Sequence, residues 1–509
     1  MSTPSAGIWR LAVVGGGVTG LSAALQAIEL AEAAGQRIAV TLYESTRRLG
    51  GKVQTLHRDE GTLELGADSF LARKDPVMRL CRKLGLDREW VGTGPQAKQT
   101  WLVADRQLHP FPSGTYMGIP VWEEGILSSP FLSEQGKRRA LMDLEMPDGS
   151  PDGDESIRAF LVRRFGDEMV DRIADAVMSG IYGGRSEDLS LLATFPEFRV
   201  MERTHGSVLR GMQARLANAQ AAATSAPLSR SIAMQGKAVG TGVVPPASVF
   251  LTLRSGLETL VEALESRLIA LGADLQVGVK VSSLERQSVS LRETPYYRVS
   301  TEDGSARDYD AIVLATPAYV TADLLEHPEV SAQLRAIRYA SVATVLLLYR
   351  AKDLASMPQG SGFVVPRREQ MTVTAVTWLS AKWPTSLSDE VIALRAFVGR
   401  SEAADIVSAD DDEIKRQVQE DLAVLMGDTI GEARPYDIVI TRWPHAMPQY
   451  DVGHRERVQA LLGRATQTFP GLALAGAAYA GGVGIPDCIE QGEQAAKRLF
   501  DERTVRADS

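Results

Sequence analysis

Hydrophobic and polar positions near the start of the chain fall into blocks that predict a strand, a helix and a second strand. Trp9 to Val14 is a short apolar run, and a glycine-rich turn separates it from the alanine-rich run Leu21 to Ala34, which favours helix. Ile38 to Glu44 is apolar again. A strand, a helix and a strand in so short a span form a βαβ unit with parallel strands. We therefore expect a doubly wound α/β domain to begin here.

The same pattern returns after a long interruption. Further strands are predicted around Gln276 to Val281, at Ala311 to Thr316 and at Leu472 to Ala475, and helices at Leu257 to Leu271 and Ile485 to Phe500. The first domain is therefore expected to be discontinuous. We assign residues 1–75, 250–325 and 443–509 to it.

Two other regions interrupt this domain. Residues 76–249 alternate charged helical segments, such as Ser156 to Ser179, with proline and glycine loops, so we predict an inserted, mainly helical domain. Within it, Asn218 to Pro246 is rich in small residues and is predicted to be a mobile loop. Residues 326–442 contain strand-like runs that predict a mixed sheet and a substrate domain: Val342 to Arg350, Thr372 to Trp378 and Ile392 to Val398.

Composition excludes several classes of protein. With 509 residues, 44% hydrophobic and 23% charged, the chain can bury large cores in two or three domains. The formal net charge of −9 argues against nucleic acid as a partner, because nucleic acid is bound through clustered basic residues. Only Cys81 and Cys488 occur, without metal-ligand spacing, so neither a disulfide framework nor a metal site is expected.

No segment predicts secretion or a membrane span. The polar residues Ser2 to Ser5 lead directly into the first strand, without the pattern of a signal peptide. Ala465 to Pro486 is uncharged, but prolines and glycines interrupt it, so we predict buried loop and strand. We therefore expect a cytoplasmic protein.

The turn after the first strand has the pattern G-x-G-x-x-G. Gly15, Gly17 and Gly20, with Val18 and Thr19 between the last two, follow a strand and open a helix, where a dinucleotide pyrophosphate can approach the backbone. Glu44, followed by Ser45, ends the second strand, where a carboxylate accepts hydrogen bonds from an adenosine ribose. Together these features predict a dinucleotide cofactor.

The next residues identify the type of cofactor. The segment from Glu44 to Lys52 contains Arg48, Gly50 and Gly51 and resembles the E-x-x-x-R-x-G-G-R signature of the FAD-containing amine-oxidase superfamily. The resemblance implies a Rossmann-type FAD domain in which Arg48 and Lys52 offset the charge of the diphosphate. Lys52 stands in place of the usual arginine.

Other positions match the superfamily more loosely. The segment from Glu64 to Phe70, which includes Gly66, Ala67, Asp68 and Ser69, resembles the stretch that runs under the flavin ring, and Gly476 to Gly484 precedes a helix whose positive end would face the ring. Ala477 replaces a common acidic residue there. The remaining cofactor positions implied by the resemblance are Val281, Trp443, Gly476, Val483, Gly484 and Ile485. Cys488 is interpreted as buried packing, so we expect FAD to bind non-covalently.

Within the superfamily the chain resembles the porphyrinogen oxidases, specifically the soluble Gram-positive type. The matching segments follow one another along nearly the whole chain. They are Gly66 to Lys74, Gly166 to Val170, Ser179 to Gly184, Leu189 to Pro196, Thr441 to Pro444, Met447 to His454 and Gly484 to Gly492. The resemblance implies that a tetrapyrrole loses six electrons to FAD in three steps and that oxygen becomes hydrogen peroxide. No general base or other catalytic side chain is assigned.

The resemblance also implies where the substrate binds. Arg73 and Lys74 are expected to anchor propionates, Ile181 and Tyr182 to form an apolar wall, and Tyr450 to line the pocket, with His454 nearby. The soluble type favours coproporphyrinogen III, whose extra propionates would need further cations, for which Lys98, Arg106, Arg199 and Arg203 are candidates.

Several alternatives stay open at this point. Protoporphyrinogen IX is the second candidate substrate, and an amine oxidase or a carotenoid-type desaturase would keep the same cofactor. A non-catalytic flavoprotein that binds porphyrin or a partner is a further class. The sequence also leaves open weak contact with a membrane or with a ferrochelatase.

Overall fold

The structure is a computed structural model in which the chain forms two compact units. It describes residues 7–112, 114–225, 248–287, 296–354, 356, 359–427, 430, 432–479 and 482–507. The first unit comprises Met1–Gly92, Pro245–Arg338 and Arg455–Ser509, and the second comprises Thr93–Val244 and Tyr339–His454.

A five-stranded parallel sheet organises the first unit. Its order in space is Asp274–Val277, Ile38–Glu44, Trp9–Val14, Ala311–Leu314 and Leu472–Leu474. Val14 is paired with Tyr43 on one side and Leu314 on the other, so the carboxyl ends of these strands form one edge. Ligands bind at such an edge in open α/β sheets.

Among the described residues, this unit also contains three smaller antiparallel sheets. They are formed by Thr55–Arg58 with Gly61–Glu64; by Phe70–Leu71, Phe250–Leu253 and Trp90–Gly92; and by Val281–Gln287, Tyr296–Thr301 and Ala306–Tyr309. The helices are Val18–Ala33, Asp75–Lys83, Glu258–Ala270, Ala318–Leu324, Pro328–Arg335, His454–Thr468 and Ile485–Ala507.

The core of the first unit lies between its parallel sheet and its helices. One buried cluster joins Leu11 and Val13 of the central strand to Leu21 of the first helix, Leu264 of Glu258–Ala270 and Ile489 of the last helix. The first and last helices approach each other closely, because a Cβ on Gly492 would lie 2.2 Å from the carbonyl oxygen of Thr19. Only glycine allows this contact.

The second unit is built on a mixed seven-stranded sheet. Its order is Asp437–Pro448, Tyr339–Arg350, Val391–Val398, Val373–Trp378, Gly362–Val364, Thr100–Ala104 and Gln107–Pro110. All neighbours are antiparallel except Gly362–Val364 and Thr100–Ala104. Asp411–Met426 covers one face, where Ile414, Val418 and Leu422 join the buried sheet residues.

The rest of the second unit, as far as the structure describes it, is mainly helical and includes the short hairpin of Thr115–Tyr116 with Ile119–Pro120. The α-helices are Glu123–Leu127, Glu134–Leu141, Ile157–Phe165, Asp167–Met169, Asp175–Tyr182, Leu191–Thr194, Pro196–His205, Val208–Ser225, Leu379–Lys382, Asp405–Ser408 and Asp411–Met426. Val170–Ala174 is a π-helix, and the 3₁₀-helices are Pro95–Lys98, Met142–Leu144, Ala351–Asp353 and Arg367–Glu369.

These elements confirm the α/β fold class and correct two sequence-based boundaries. The boundary placed between residues 442 and 443 falls inside one strand, Asp437–Pro448. Pro444 and Pro448 hid this strand, since proline cannot donate to a ladder and is tolerated here because the strand lies at the edge of the sheet. The segment predicted as a loop from Asn218 begins in a helix, Val208–Ser225, and its residues 226–247 lie outside the described residues.

The division into three functional domains stays a prediction. Strands Thr100–Ala104 and Gln107–Pro110, from the segment predicted to be mainly helical, belong to the same sheet as the strands of residues 339–448. Both segments therefore fall within one compact unit. No described helix is long and apolar enough to cross a membrane.

Candidate active site

The glycine turn of the first unit forms a tight loop between strand and helix. Gly15 has a φ of +111°, and its N–H donates to the Tyr43 carbonyl at 2.8 Å. A Cβ on Gly20 would lie 1.9 Å from the Gly15 carbonyl oxygen, so the helix can begin this close to the turn only with glycine. Gly17 caps the helix without a side-chain hydrogen bond, and a Cβ there would have no neighbour within 4 Å. The turn therefore leaves space in front of the first helical N–H groups, which have no partner within their own helix, as a diphosphate requires.

Glu44 lies beside this turn at the carboxyl end of its strand. Its Oε2 accepts from the Gly16 N–H at 2.8 Å, and its Oε1 accepts from the Thr46 N–H at 2.8 Å and from the Ser45 hydroxyl at 3.5 Å. A carboxylate has about four lone-pair sites, of which these bonds use three. The group is thus held in a fixed orientation and can still accept a hydrogen bond from a ribose hydroxyl.

The second glycine-containing loop is hydrogen-bonded to the first. The Gly50 N–H donates to the Gly16 carbonyl at 2.9 Å, and Gly17 and Gly50 form a parallel bridge. A Cβ on Gly51 would lie 3.4 Å from the Gly17 Cα. The structure therefore brings together the two loops that the sequence assigned to the diphosphate.

Arg48 holds its own loop in shape. Its guanidinium donates to the Gly51 carbonyl at 2.7 Å and also to the Val53 carbonyl, and its Nη2 lies 3.3 Å from Glu258 Oε1. Much of its hydrogen-bonding capacity is therefore used within the protein. A direct contact with a diphosphate stays a prediction.

Lys52, Cys488 and Thr19 lie together near the start of the first helix. Lys52 is exposed to solvent, yet the protein atoms crowded around its ammonium group lower its pKa, and the nearby Cys488 acts in the opposite direction. Burial raises the pKa of the Cys488 thiol, which is hydrogen-bonded to Thr19. Cys488 therefore remains a neutral thiol at neutral pH, consistent with its interpretation as packing.

The segment from Gly66 to Ser69 is partly buried. Asp68 is buried and accepts from the Ser69 hydroxyl at 2.8 Å, while Ala67 packs against the main core. Just before it, the buried carboxylate of Glu64 accepts from the Leu257 N–H at 2.6 Å, at the start of Glu258–Ala270. Glu64 opens the stretch that the sequence matched to the flavin ring, but nothing in its local sequence predicts its burial or its bond to the Leu257 N–H.

The loop after the last strand lies at the same edge of the parallel sheet. Gly476 has a φ of +130°, and its N–H donates to Gln491 Oε1 at 3.2 Å. Val483 and Gly484 are half-buried and lead into the helix at Ile485, which is buried. Residues 480 and 481 lie outside the described residues.

The two loosely matched cofactor positions have different surroundings. Val281 is buried and follows Val279, whose N–H donates to the Glu44 carbonyl at 2.9 Å, so it lies close to the nucleotide edge. Trp443 belongs to the second unit, where it pairs with Val342, and its indole N–H is buried without a partner among the described residues. Its proximity to the cofactor stays a prediction.

Of the two residues predicted to anchor the substrate propionates, Lys74 forms an ion pair and Arg73 forms none among the described residues. The Lys74 ammonium lies 2.5 and 2.8 Å from the two carboxylate oxygens of Asp487. Arg73 is exposed. The structure thus distinguishes two residues that the sequence treated as a pair.

The predicted substrate residues of the second unit form an aromatic cluster. Tyr450 is fully buried, stacks on His454 with ring centroids 4.4 Å apart, and lies 5.3 Å from the Tyr182 ring. Tyr182 is buried as well, whereas Ile181 is 40% exposed. Tyr450 is therefore core in this structure, and Ile181 is the member of the group that presents a surface.

The four cations suggested for the extra propionates also differ in their surroundings. Arg199 is buried and donates to Glu155 at 2.5 Å and to the Pro151 carbonyl at 2.8 Å, so its charge is compensated inside the protein. Arg203 bonds to Ser150 Oγ at 3.1 Å and to the Pro151 carbonyl at 3.1 Å. Lys98 and Arg106 are exposed.

Comparison with known proteins settles the family. The family model described as flavin containing amine oxidoreductase matches residues 18–500. The chain belongs to this family. It is a flavin-dependent oxidoreductase, and the resemblance stated from the signature around Glu44 to Lys52 is confirmed.

Three similar proteins indicate which members of the family this chain resembles. A Bacillus subtilis (strain 168) protein named coproporphyrinogen III oxidase is 34% identical over 96% of this chain and 97% of its own length. A Bos taurus protein named protoporphyrinogen oxidase is 31% identical over 96% of this chain and 98% of its own. A crystal structure from Exiguobacterium sp. 255-15, provisionally named protoporphyrinogen oxidase, has a TM-score of 0.82 and 31% identity, covering 97% of this chain and 100% of that one.

The first unit fits the flavin that the family implies. The open space in front of Gly17, the uncapped helix start and the fixed Glu44 carboxylate provide places for a diphosphate and a ribose. The residues that would hold the flavin are the two glycine loops, Glu44 and the segment from Gly66 to Ser69. Among the described residues, no group of acidic, histidine and cysteine side chains is placed to hold a metal ion.

Proposed function

We propose that the protein oxidises coproporphyrinogen III to coproporphyrin III with non-covalently bound FAD. The observation that carries the proposal is the similarity to the Bacillus subtilis coproporphyrinogen III oxidase, 34% identical along 96% of this chain. The reaction removes six electrons and six hydrogens from the substrate. With oxygen as acceptor, three O₂ become three H₂O₂ and the equation balances.

The roles of the chain's own residues follow from their surroundings. FAD, when bound, supplies the acceptor for hydride in each two-electron step. Glu44 and the loop Gly15 to Gly20 would hold the nucleotide end of FAD, and the segment Gly66 to Ser69 would contact its ring. Arg73 binds a substrate propionate, because it is an exposed guanidinium without an ion pair among the described residues.

The macrocycle needs an apolar surface and few acid or base groups. Ile181 offers such a surface, being 40% exposed at the end of Asp175–Tyr182, and the next residue, Tyr182, packs against Tyr450 in the core. We assign no general base, and the pyrrole protons pass to water.

Protoporphyrinogen IX is the second candidate substrate, favoured by the similarity to the bovine protoporphyrinogen oxidase. The two substrates differ in the number of propionates, and each additional exposed ion pair contributes only about 0.2 to 1 kcal/mol. We therefore expect both to turn over, with the higher kcat/KM for coproporphyrinogen III.

The test is direct. Purified protein should be yellow, release FAD into the supernatant on acid precipitation, and produce porphyrin fluorescence and peroxide on addition of coproporphyrinogen III. Side-by-side kcat/KM values at one ionic strength decide between the two substrates. A protein that oxidises neither porphyrinogen contradicts the proposal, and flavin that stays in the precipitate contradicts non-covalent binding.

A further inference from the structure

An ion pair joins two distant segments of the first unit. Lys74 and Asp487 are 413 residues apart, and the ammonium contacts both carboxylate oxygens. Their side chains are only 35% and 19% exposed. A pair with two short contacts and limited exposure holds a defined geometry better than a fully solvated pair.

Each partner adjoins a segment assigned to the flavin ring. Lys74 caps the start of Asp75–Lys83 and directly follows the stretch from Gly66 to Arg73. Asp487 lies in the first turn of Ile485–Ala507, after the loop containing Gly482 and Gly484. A Cβ on Gly482 would lie 2.2 Å from the Asp487 Cγ, so this carboxylate packs directly against the glycine loop.

The same two helices are joined a second time. Arg79, one turn further along its helix, is paired with Glu493 of the last helix. The helices therefore keep one ion pair when the other is removed. The Lys74 pair differs from the Arg79 pair in its contact with the glycine loop.

We infer that Lys74 and Arg73 have separate roles: Lys74 is a positioning residue that fixes the Gly482–Gly484 loop through Asp487, and Arg73 is the cation available to a substrate carboxylate. The part concerning Arg73 rests on the proposed function. The part concerning Lys74 rests on the geometry of the first unit alone.

The experiment compares four single substitutions, each of which replaces a charged side chain by an uncharged one. They are Lys74→Gln, Asp487→Asn, Arg73→Gln and, as matched control, Glu493→Gln. FAD affinity is measured by fluorescence titration of the apoprotein, and the absorption spectrum of bound flavin and the KM for coproporphyrinogen III are recorded. Circular dichroism verifies folding, and the exchanged pair Lys74→Asp with Asp487→Lys replaces any single variant that fails to fold.

Removing either partner of the pair should have the same effect. Lys74→Gln and Asp487→Asn should each weaken FAD binding by about twofold to fivefold and shift the flavin spectrum alike. A double variant with both Lys74→Gln and Asp487→Asn should bind FAD no more weakly than either single variant, because both substitutions remove the same interaction. The exchanged pair should recover part of the affinity.

The remaining variants separate the two roles. Arg73→Gln should leave FAD affinity unchanged and raise KM, and Glu493→Gln should change neither. The inference is overturned if Asp487→Asn leaves flavin affinity and spectrum unchanged while Lys74→Gln raises KM as Arg73→Gln does. Failure of the parent protein to oxidise porphyrinogens would instead refute the proposed function, since the FAD measurements need no substrate.

Discussion

Glu44 Oε2 accepts a 2.8 Å hydrogen bond from the backbone N–H of Gly16, so the residue that ends the second strand fixes the turn after the first. The carboxylate therefore has one task within the protein and, as we propose, a second one toward the ribose. Substitutions can separate them, because the bond to Gly16 belongs to the protein whether or not a nucleotide is bound.

Glu44→Ala should weaken FAD binding by about 1.5 to 3 kcal/mol, as expected for loss of hydrogen bonds to a charged group. Glu44→Gln should lose less, because its amide oxygen still accepts one bond. Fluorescence titration of the apoprotein measures both. Glu32→Ala, an exposed change on the adjacent helix, serves as control. Equal affinities for Glu44→Ala and the parent protein would exclude Glu44 from the cofactor site.

Gly17→Ala should impair FAD binding without loss of stability, whereas Gly20→Ala should lower the stability of the apoprotein itself. The Gly17 methyl would meet no protein atom within 4 Å and its φ of −71° suits alanine, so the apoprotein should keep its melting temperature but lose FAD affinity. The Gly20 methyl would lie 1.9 Å from a carbonyl oxygen, so that variant should melt earlier even without FAD. Unaltered FAD binding in Gly17→Ala would show that this space does not receive the cofactor.

Arg199→Ala should destabilise the second unit without changing substrate preference. Arg199 is 4% exposed and pairs with Glu155, and breaking a buried ion pair costs roughly 3 to 5 kcal/mol. Urea unfolding measures the loss, and Arg203→Ala, an exposed neighbour, should cost less than about 1 kcal/mol. A changed ratio of kcat/KM for the two porphyrinogens at unchanged stability would indicate instead that Arg199 contacts the substrate.

Cys81 predicts a dependence of stability on alkaline pH. Burial raises the pKa of its thiol to about 11, above the value near 9 of an exposed thiol. Between these values the unfolded chain loses the proton first, so the contribution to stability is complete below pH 9 and falls as pH rises toward 11, by up to about 3 kcal/mol. The difference in melting temperature between the parent and Cys81→Ala should therefore shrink from about pH 8 to about pH 10.5. A constant difference would contradict a protonated buried thiol.

Local sequence predicted the elements that depend on local chemistry. The strands Trp9–Val14 and Ile38–Glu44 have the predicted bounds, because each mainly apolar run ends there at a glycine or at a charge. The strand Asp437–Pro448 was missed because its prolines are compatible with a strand only at a sheet edge. Edge position is a property of the assembled sheet.

Prediction of the candidate site from the sequence has the same limit, because some contacts form only in the folded chain. The glycine turn and Glu44 were predictable, since their spacing follows from one βαβ unit. The partners of Lys74 and Arg199 were not, because Asp487 and Glu155 come next to them only through tertiary folding. A basic residue in a matching segment can be a ligand for substrate or one half of an internal ion pair, and sequence alone does not distinguish these.

The parallel sheet of the first unit also sets an order of events during synthesis. Its central strand, Trp9–Val14, leaves the ribosome first, whereas the edge strand Leu472–Leu474 and the helix that packs Gly492 against Thr19 come last. At about 5 to 20 residues per second, the glycine turn waits on the order of half a minute or longer for these partners. Flavin loading into a finished site must therefore follow translation of nearly the whole chain.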